Sequence, residues 1–162
     1  MTIKVALAGA GAFGIKHLDA IKLIDGVEVS SLISRDLAKT QEVASKYGIG
    51  HVTVDLEESL ARKDVDAVIL CTPTQMHAAQ AVACMKAGKH VQVEIPLADS
   101  LRDAYRVVQL QENTGLVAMC GHTRRFNPSH QYVNQQIKSG KFNIQQLDVQ
   151  TSFFRRTNTN AL

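Results

Sequence analysis

Three glycines near the start of the chain have the spacing of a loop that binds a dinucleotide. The segment Gly9-Ala10-Gly11-Ala12-Phe13-Gly14 fits the pattern GxGxxG. In such a loop the first glycine permits a tight turn, the second lets the backbone approach a pyrophosphate, and the third lets a helix pack closely on a strand. The N–H groups and the dipole at the helix N-terminus favour the negative charge. The segment predicts a dinucleotide site that includes Gly9, Gly11, Ala12, Phe13 and Gly14; a plain strand–helix turn is the alternative.

Ser34 and Arg35 lie at the position where such a site binds the ribose of the adenosine. About twenty residues after the glycine loop, NAD-preferring sites usually offer a carboxylate to the ribose hydroxyls. A serine hydroxyl and a guanidinium suit a 2′-phosphate instead. The pair predicts NADP as the preferred cofactor, with NAD as the second. In the alternative, Arg35 is a solvated loop residue and the neighbouring Asp36 binds the ribose.

His122 is a candidate for proton transfer. It follows a predicted strand, and ligands of open α/β sheets bind beyond the carboxyl ends of the strands. Histidine titrates near neutral pH, which suits a general base. We expect His122 to accept a proton from the substrate or to contact it. His17, on the first helix, is expected to face solvent or an interface.

Short aliphatic runs alternate with segments of helical spacing over the first 121 residues. Continuous aliphatic runs are typical of buried parallel strands. Because parallel strands need crossover connections, the alternation predicts an α/β, doubly wound parallel sheet, the Rossmann dinucleotide-binding domain. The predicted strands are residues 3–8, 27–33, 51–54, 67–71, 90–93 and 116–120, and the predicted helices are residues 12–23, 37–47, 56–61, 75–87 and 101–113.

The pattern changes after Gly121. Residues 128–139 read as a helix, and residues 143–156 as a long strand in which apolar side chains alternate. A strand of that length needs neighbours to pair with. We therefore expect residues 1–121 to form the dinucleotide-binding domain and residues 122–162 to begin an incomplete α+β domain.

Composition narrows the class of protein. Hydrophobic residues make up 45% and charged residues 20% of the sequence, as in soluble globular proteins. No run reaches the roughly 18 apolar residues that a membrane span needs. Three cysteines without metal-binding spacing indicate no metal site and a reducing, cytoplasmic compartment. From His122 onward six basic residues face Asp148 alone. Without a nucleic-acid-binding motif, this charge predicts an anionic small substrate and no nucleic acid.

Two further segments carry a resemblance to a known family. Residues 71–77 read Cys-Thr-Pro-Thr-Gln-Met-His, and residues 87–97 read Ala-Gly-Lys-His-Val-Gln-Val-Glu-Ile-Pro-Leu. Together they resemble the glucose–fructose oxidoreductase / inositol dehydrogenase (Gfo/Idh/MocA) family. The resemblance implies cofactor contacts from Thr72, Pro73, His77 and Glu94, and a place for Glu94 among the catalytic residues. For His77, near a predicted helix start, a structural hydrogen-bonding role and contact with the substrate are the alternatives. Relatives carry lysine where this chain has Ile95, which leaves the proton acceptor open.

The resemblance also implies an activity. Glu-Ile-Pro, together with Gly-His-Thr-Arg-Arg-Phe-Asn-Pro at residues 121–128, is similar to members that oxidise a cyclic hemiacetal to a lactone in the catabolism of aromatic compounds. Hydride would pass to C4 of the nicotinamide. A sugar or polyol dehydrogenase and a non-catalytic dinucleotide sensor are the alternatives.

The implied substrate is a dicarboxylate, for which a pair of guanidinium groups is a natural partner. Arg124 and Arg125 are therefore candidate substrate contacts; the alternative is that they dock the second domain. Family members have a second domain with a large open antiparallel sheet, which covers the substrate and often mediates dimerisation. A homo-oligomer is therefore implied for the full-length form, and we expect the 162 residues alone to be inactive.

Overall fold

A six-stranded parallel sheet forms the first part of the chain. The computed structural model describes residues 2–150, and the chain divides into two units between His122 and Thr123. The strands of the first unit are β1 (Ile3–Ala8), β2 (Val27–Ile33), β3 (His51–Thr53), β4 (Ala67–Leu70), β5 (His90–Val93) and β6 (Ala118–Cys120). Its helices are α1 (Ala12–Ile21), α2 (Leu37–Tyr47), α3 (Leu56–Leu60), α4 (Thr74–Lys86) and α5 (Leu101–Thr114).

The order of the strands is β3-β2-β1-β4-β5-β6. The chain therefore moves outward from β1 to one edge, returns to the centre, and continues to the other edge. This is the doubly wound order of dinucleotide-binding sheets, so the predicted fold class is confirmed. The direction of winding reverses between β1 and β4, and ligands of such sheets bind at this switch point.

The two faces of the sheet carry separate hydrophobic clusters. Alternate residues of a strand point to opposite faces. Accordingly Leu7 packs with Leu18 of α1 and Ala44 of α2, whereas Ala6 packs in the other cluster with side chains of α4 and α5, such as Met85 and Val107. The continuous aliphatic strands are therefore explained by burial on both faces.

Helix boundaries follow the capping residues of the sequence. The Asp36 carboxylate accepts a hydrogen bond from Lys39 N–H at the start of α2, and the Ser100 hydroxyl accepts one from Asp103 N–H at the start of α5. Gly48 and Gly115 end these helices with φ of 70° and 66°. Side chains are disfavoured in this left-handed region, which is why glycine ends both helices.

The second unit contains a short 3₁₀ turn (Thr123–Phe126) and a helix α6 (Pro128–Lys138). Residues 143–150 form no strand, so the predicted strand is wrong over that range. Apolar alternation alone does not hold a strand, because the conformation depends on ladder hydrogen bonds to a neighbour. No pairing partner for residues 143–150 occurs within residues 2–150. The remainder of the predicted strand, with Arg155 and Arg156, lies outside the described residues.

No helix within residues 2–150 has the length and apolar character needed to cross a membrane.

Candidate functional site

A cleft opens at the carboxyl ends of the strands, at the switch point of the sheet. It has a volume of about 540 Å³. Turns that follow β1, β2, β3 and β4 surround it, so residues distant in sequence meet there. The lining comprises Ala8, Gly9, Ala10, Gly11, Ile33, Ser34, Arg35, Val54, Asp55, Leu56, Cys71, Thr72, Pro73, Met76 and Gln80. Sequence reasoning missed the contribution of Val54, Asp55, Leu56, Met76 and Gln80. Met76 lies within the segment 71–77 but was not singled out, and the other four lie in no motif and reach the cleft through the order of the strands.

Each of the three loop glycines meets a different surrounding. Gly9 has φ of 109°, and a Cβ there would collide with the carbonyl oxygen of Cys71. A Cβ on Gly14 would collide with the carbonyl oxygen of Gly9, so these two glycines let the loop fold on itself. A Cβ on Gly11 would have nothing within 4 Å. Gly11 therefore leaves open space beside the start of α1.

The start of α1 has no side-chain cap and no acidic residue in its first turn. An uncapped helix start presents backbone N–H groups and positive dipole charge to a ligand. Ala12 and Phe13 form this turn, and both side chains are exposed. The ammonium of Lys16 lies 5.2 Å from the centre of the Phe13 ring, which adds positive charge beside the turn. The arrangement can hold a pyrophosphate.

Arg35 lines the cleft, whereas Asp36 bonds to its own helix. Ser34 and the exposed Arg35 line the cleft. The Asp36 carboxylate, by contrast, accepts the Lys39 N–H at 3.1 Å and lies 3.3 Å from the Lys39 ammonium. These hydrogen bonds, the backbone one foremost, lower the pKa of Asp36. The carboxylate is thus engaged by its own helix and is not part of the cleft lining.

Thr72 and Pro73 form the wall of the cleft beyond β4. The Thr72 hydroxyl donates a hydrogen bond to Oε1 of Gln80 at 2.5 Å. His77 does not line the cleft: its side chain is buried, with 1% of the residue exposed, and both ring nitrogens face backbone carbonyls. The structure therefore places His77 behind this wall of the cleft.

Glu94 is buried at the end of β5 and is paired with a histidine. Its Oε1 lies 2.7 Å from Nε2 of His17. The expectation that His17 faces solvent or an interface is therefore wrong. The helical spacing of α1 could have indicated that His17 faces the sheet, because His17 lies three residues after the buried Gly14 and one before the buried Leu18. A Cβ on Gly121 would lie 3.1 Å from the same carboxylate oxygen, so the chain end of β6 closes over the pair.

Cys71 completes a small group with His17 and Glu94. Their potential ligand atoms lie within 4.8 Å of one another. Burial, with the Glu94 charge as a smaller cause, raises the pKa of Cys71 to about 12. Within the group, the hydrogen bond with His17 orients the Glu94 carboxylate.

The remaining candidates fall on both sides of the unit boundary. His122 is exposed in the first unit, two residues beyond β6. Its backbone N–H donates a hydrogen bond to the carbonyl oxygen of Cys120 at 2.8 Å. Arg124 and Arg125 are exposed in the 3₁₀ turn of the second unit. Ile95 is 52% exposed and has no group that could take up a proton.

Comparison with known protein families matches both units. The family described as "Oxidoreductase family, NAD-binding Rossmann fold" (GFO_IDH_MocA) matches residues 3–122. The family "Bacterial oxidoreductases, C-terminal" matches residues 128–162.

Two curated relatives span different levels of similarity. The chain is 67% identical over 159 residues to 4-carboxy-2-hydroxymuconate-6-semialdehyde dehydrogenase of Sphingobium sp., covering 98% of this chain and 50% of the relative. It is 33% identical over 140 residues to inositol 2-dehydrogenase of Rhodococcus erythropolis, covering 85% of this chain and 40% of the relative. The chain thus spans about half the length, or less, of these relatives.

Solved structures are similar in fold to this chain. Scyllo-inositol dehydrogenase from Lactobacillus casei, with bound NAD(H) and scyllo-inositol, has a TM-score of 0.83 at 27% identity, with 87% of this chain and 42% of that chain covered. A 3-ketoreductase from Actinomadura kijaniata in complex with NADP has a TM-score of 0.79 at 27% identity, with 86% and 44% covered. Both nicotinamide cofactors therefore occur among proteins of this fold.

Proposed function

This chain belongs to the Gfo/Idh/MocA oxidoreductase family, and we propose that it supplies the cofactor site of a dehydrogenase that uses NADP(H) in preference to NAD(H). The observation that carries the proposal is the cleft at the switch point. Its glycine loop leaves space before an uncapped helix, and Ser34 and Arg35 lie in the same lining.

The residues of the cleft fit the parts of the cofactor in order. The pyrophosphate would rest on the N–H groups at the start of α1, beside Gly11. The Ser34 hydroxyl and the Arg35 guanidinium would bind the 2′-phosphate of the adenosine ribose, because a phosphate accepts paired N–H donors well. The nicotinamide end would lie towards Thr72, Pro73 and Glu94. When bound, NADP⁺ supplies a hydride acceptor at C4 of its ring.

For the substrate, we propose the cyclic hemiacetal of 4-carboxy-2-hydroxymuconate-6-semialdehyde, oxidised to the lactone 2-pyrone-4,6-dicarboxylate in the protocatechuate 4,5-cleavage route. Identity of 67% over nearly the whole chain supports this choice over the inositols, whose dehydrogenases are at 33% or less among the relatives compared. The hemiacetal carbon loses a hydride and its hydroxyl loses a proton. His122 takes the proton, and Arg124 and Arg125 pair with the two carboxylates.

The replacement of lysine by Ile95 fits this substrate. A hemiacetal hydroxyl is more acidic than that of a simple alcohol, so its proton leaves with less assistance. An inositol hydroxyl has no such advantage. The departure at Ile95 therefore favours the hemiacetal over a polyol.

Turnover of the full-length protein tests the assignment. The hemiacetal and myo-inositol are each supplied with NADP⁺ and with NAD⁺, and reduction of the cofactor is followed. We expect kcat/KM for the hemiacetal with NADP⁺ to exceed that for inositol by at least about 10²-fold, which corresponds to a few kcal/mol of transition-state discrimination. A higher kcat/KM for myo-inositol would assign the protein to the polyol dehydrogenases. Binding of the cofactor without turnover of the hemiacetal or of myo-inositol would favour a dinucleotide sensor.

A further inference from the structure

His77 contacts two carbonyl oxygens, and a neutral imidazole cannot donate a hydrogen bond to both of them. Its Nδ1 lies 2.7 Å from the carbonyl oxygen of Pro96, and its Nε2 lies 2.7 Å from the carbonyl oxygen of Thr72. The residue is 1% exposed, so water does not provide alternative partners for the ring. Both contacts have the length of a strong hydrogen bond.

The chemistry of the two acceptors decides the number of protons on the ring. A backbone carbonyl oxygen accepts hydrogen bonds and never donates them. Each ring nitrogen must therefore donate, but a neutral imidazole carries a proton on one nitrogen only. In the neutral form one nitrogen lone pair would face an oxygen lone pair at 2.7 Å. The imidazolium removes this repulsion and turns it into a charge-assisted hydrogen bond.

Two costs oppose the charged ring. Burial disfavours a cation, and His77 lies near the start of α4, where the helix dipole is positive. Two carbonyl dipoles aimed at the ring offset these costs directly. The Glu94 carboxylate, in the same turn as Pro96, contributes negative charge to this edge of the sheet, whereas burial keeps the Cys71 thiol neutral by raising its pKa to about 12.

The two carbonyls belong to two different turns. Thr72 follows β4 and lines the cleft, and Pro96 ends the turn that begins with Glu94 after β5. Strands β4 and β5 are paired in parallel, with Leu70 opposite Val93, so both turns leave the same edge of the sheet. Beyond that edge the ladder no longer fixes their separation. His77 bridges them from α4.

We propose that His77 is a positioning residue, held as an imidazolium whose two N–H groups clamp the Thr72 turn to the Glu94–Pro96 turn. The clamp sets the distance between the wall that contacts the cofactor and the segment that carries the Glu94 carboxylate. The positioning role rests on the proposed function, whereas the doubly protonated ring is a property of the folded chain alone.

The first test is NMR spectroscopy of the chain labelled with ¹⁵N, without cofactor. Both ring nitrogens of His77 are expected to show the shift and the attached proton of an N–H group, and the signals are assigned by their loss in His77→Gln or by backbone correlation. A single protonated nitrogen at neutral pH would overturn the clamp. With the signals assigned by backbone correlation, this result depends on neither cofactor binding nor the folding of a variant.

The second test is calorimetric titration with NADPH. Glutamine has one donor nitrogen and one acceptor oxygen, so it cannot donate to both carbonyls. We expect His77→Gln to bind NADPH about 10–100-fold more weakly, the loss typical of one charge-assisted hydrogen bond. His130→Gln, an exposed histidine of α6, is the control and is expected to bind as the wild type.

Equal affinity of His77→Gln and the wild type would overturn the positioning role even if both nitrogens are protonated. A wild-type chain that binds neither NADPH nor NADH would refute the proposed function and the positioning role with it. The NMR result would still decide whether the clamp exists.

Discussion

At the scale of single residues, side chains that are adjacent in sequence and could each bind the ribose make different contacts in the structure. Ser34, Arg35 and Asp36 adjoin in sequence, and either Arg35 or Asp36 could have met the ribose. The structure engages the Asp36 carboxylate with Lys39 and leaves Arg35 in the cleft lining. The Asp36 carboxylate can either cap helix α2 or bind a ligand. Which of the two it does can be decided only once the first residue of the helix is known.

Replacement of Arg35 tests the choice of cofactor. Arg35→Ala should weaken NADPH binding by about 10–100-fold, because a charge-assisted partner of the 2′-phosphate is lost, while NADH binding changes little. Arg106→Ala removes an exposed arginine of α5 and is the matched control. Asp36→Asn should leave both affinities unchanged. Equal losses for both cofactors in Arg35→Ala, or a selective loss of NADH in Asp36→Asn, would reverse the assignment; affinities are measured by calorimetry.

Replacement of His122 tests the proton acceptor. In the full-length protein, His122→Asn should lower kcat by roughly 10²–10⁴-fold, the usual contribution of a general base, with cofactor affinity nearly unchanged. His130→Asn serves as the control. Steady-state kinetics with the hemiacetal and NADP⁺ provide the measurement. If the variant keeps most of its kcat, the proton must pass to another group, and the His17–Glu94 pair is then the first to examine.

Residues that line the cleft could be predicted from the sequence more readily than the contacts that support them. The glycine loop, Ser34 and Arg35 are contiguous in sequence, and their spacing reflects one strand–helix–strand unit. The bond from His17 to Glu94 joins residues 77 positions apart, and His77 reaches Pro96 across 19. Such pairs depend on which strands are neighbours in the sheet. Local spacing does not contain that information.

At the scale of elements, burial and capping account for what could be predicted. Strands β1, β2 and β5 and helix α2 have the predicted bounds, because buried aliphatic runs and capping residues mark them clearly. Strands β3, β4 and β6 are shorter than predicted, because their paired registers end at Thr53 and Leu70 and begin at Ala118. The predicted strand over residues 143–150 is absent because no strand within residues 2–150 pairs with it.

Two glycine variants separate the packing of the loop from its binding. Gly14→Ala should lower the free energy of unfolding by about 1–3 kcal/mol or more, because the new methyl group meets the Gly9 carbonyl. Gly11→Ala meets nothing within 4 Å and should change stability by less than about 0.5 kcal/mol. It should nevertheless weaken NADPH binding at least about tenfold, since its methyl group occupies the space before the helix.

Denaturant unfolding and calorimetry distinguish the two effects. A Gly11→Ala chain that is stable and still binds NADPH normally would show that the pyrophosphate does not lie beside Gly11.

At the scale of the molecule, two matched families meet between residues 122 and 128. The cleft, the glycine loop and the Glu94 group lie wholly in the first unit, so the proposed cofactor site lies in that unit. The excess of positive charge lies after His122, where six basic residues accompany a single acidic one, and an anionic substrate would need such an excess. Cofactor chemistry and substrate charge are thus assigned to different parts of the chain.

Calorimetric titration of the 162-residue chain with NADPH and with NADH would show whether the cleft is a cofactor site. We expect saturable binding of one NADPH per chain, at least about tenfold tighter than NADH, because only NADPH offers a 2′-phosphate to Ser34 and Arg35. The absence of saturable binding for both cofactors would contradict the assignment of the cleft. Tighter binding of NADH than NADPH would contradict the assigned roles of Ser34 and Arg35.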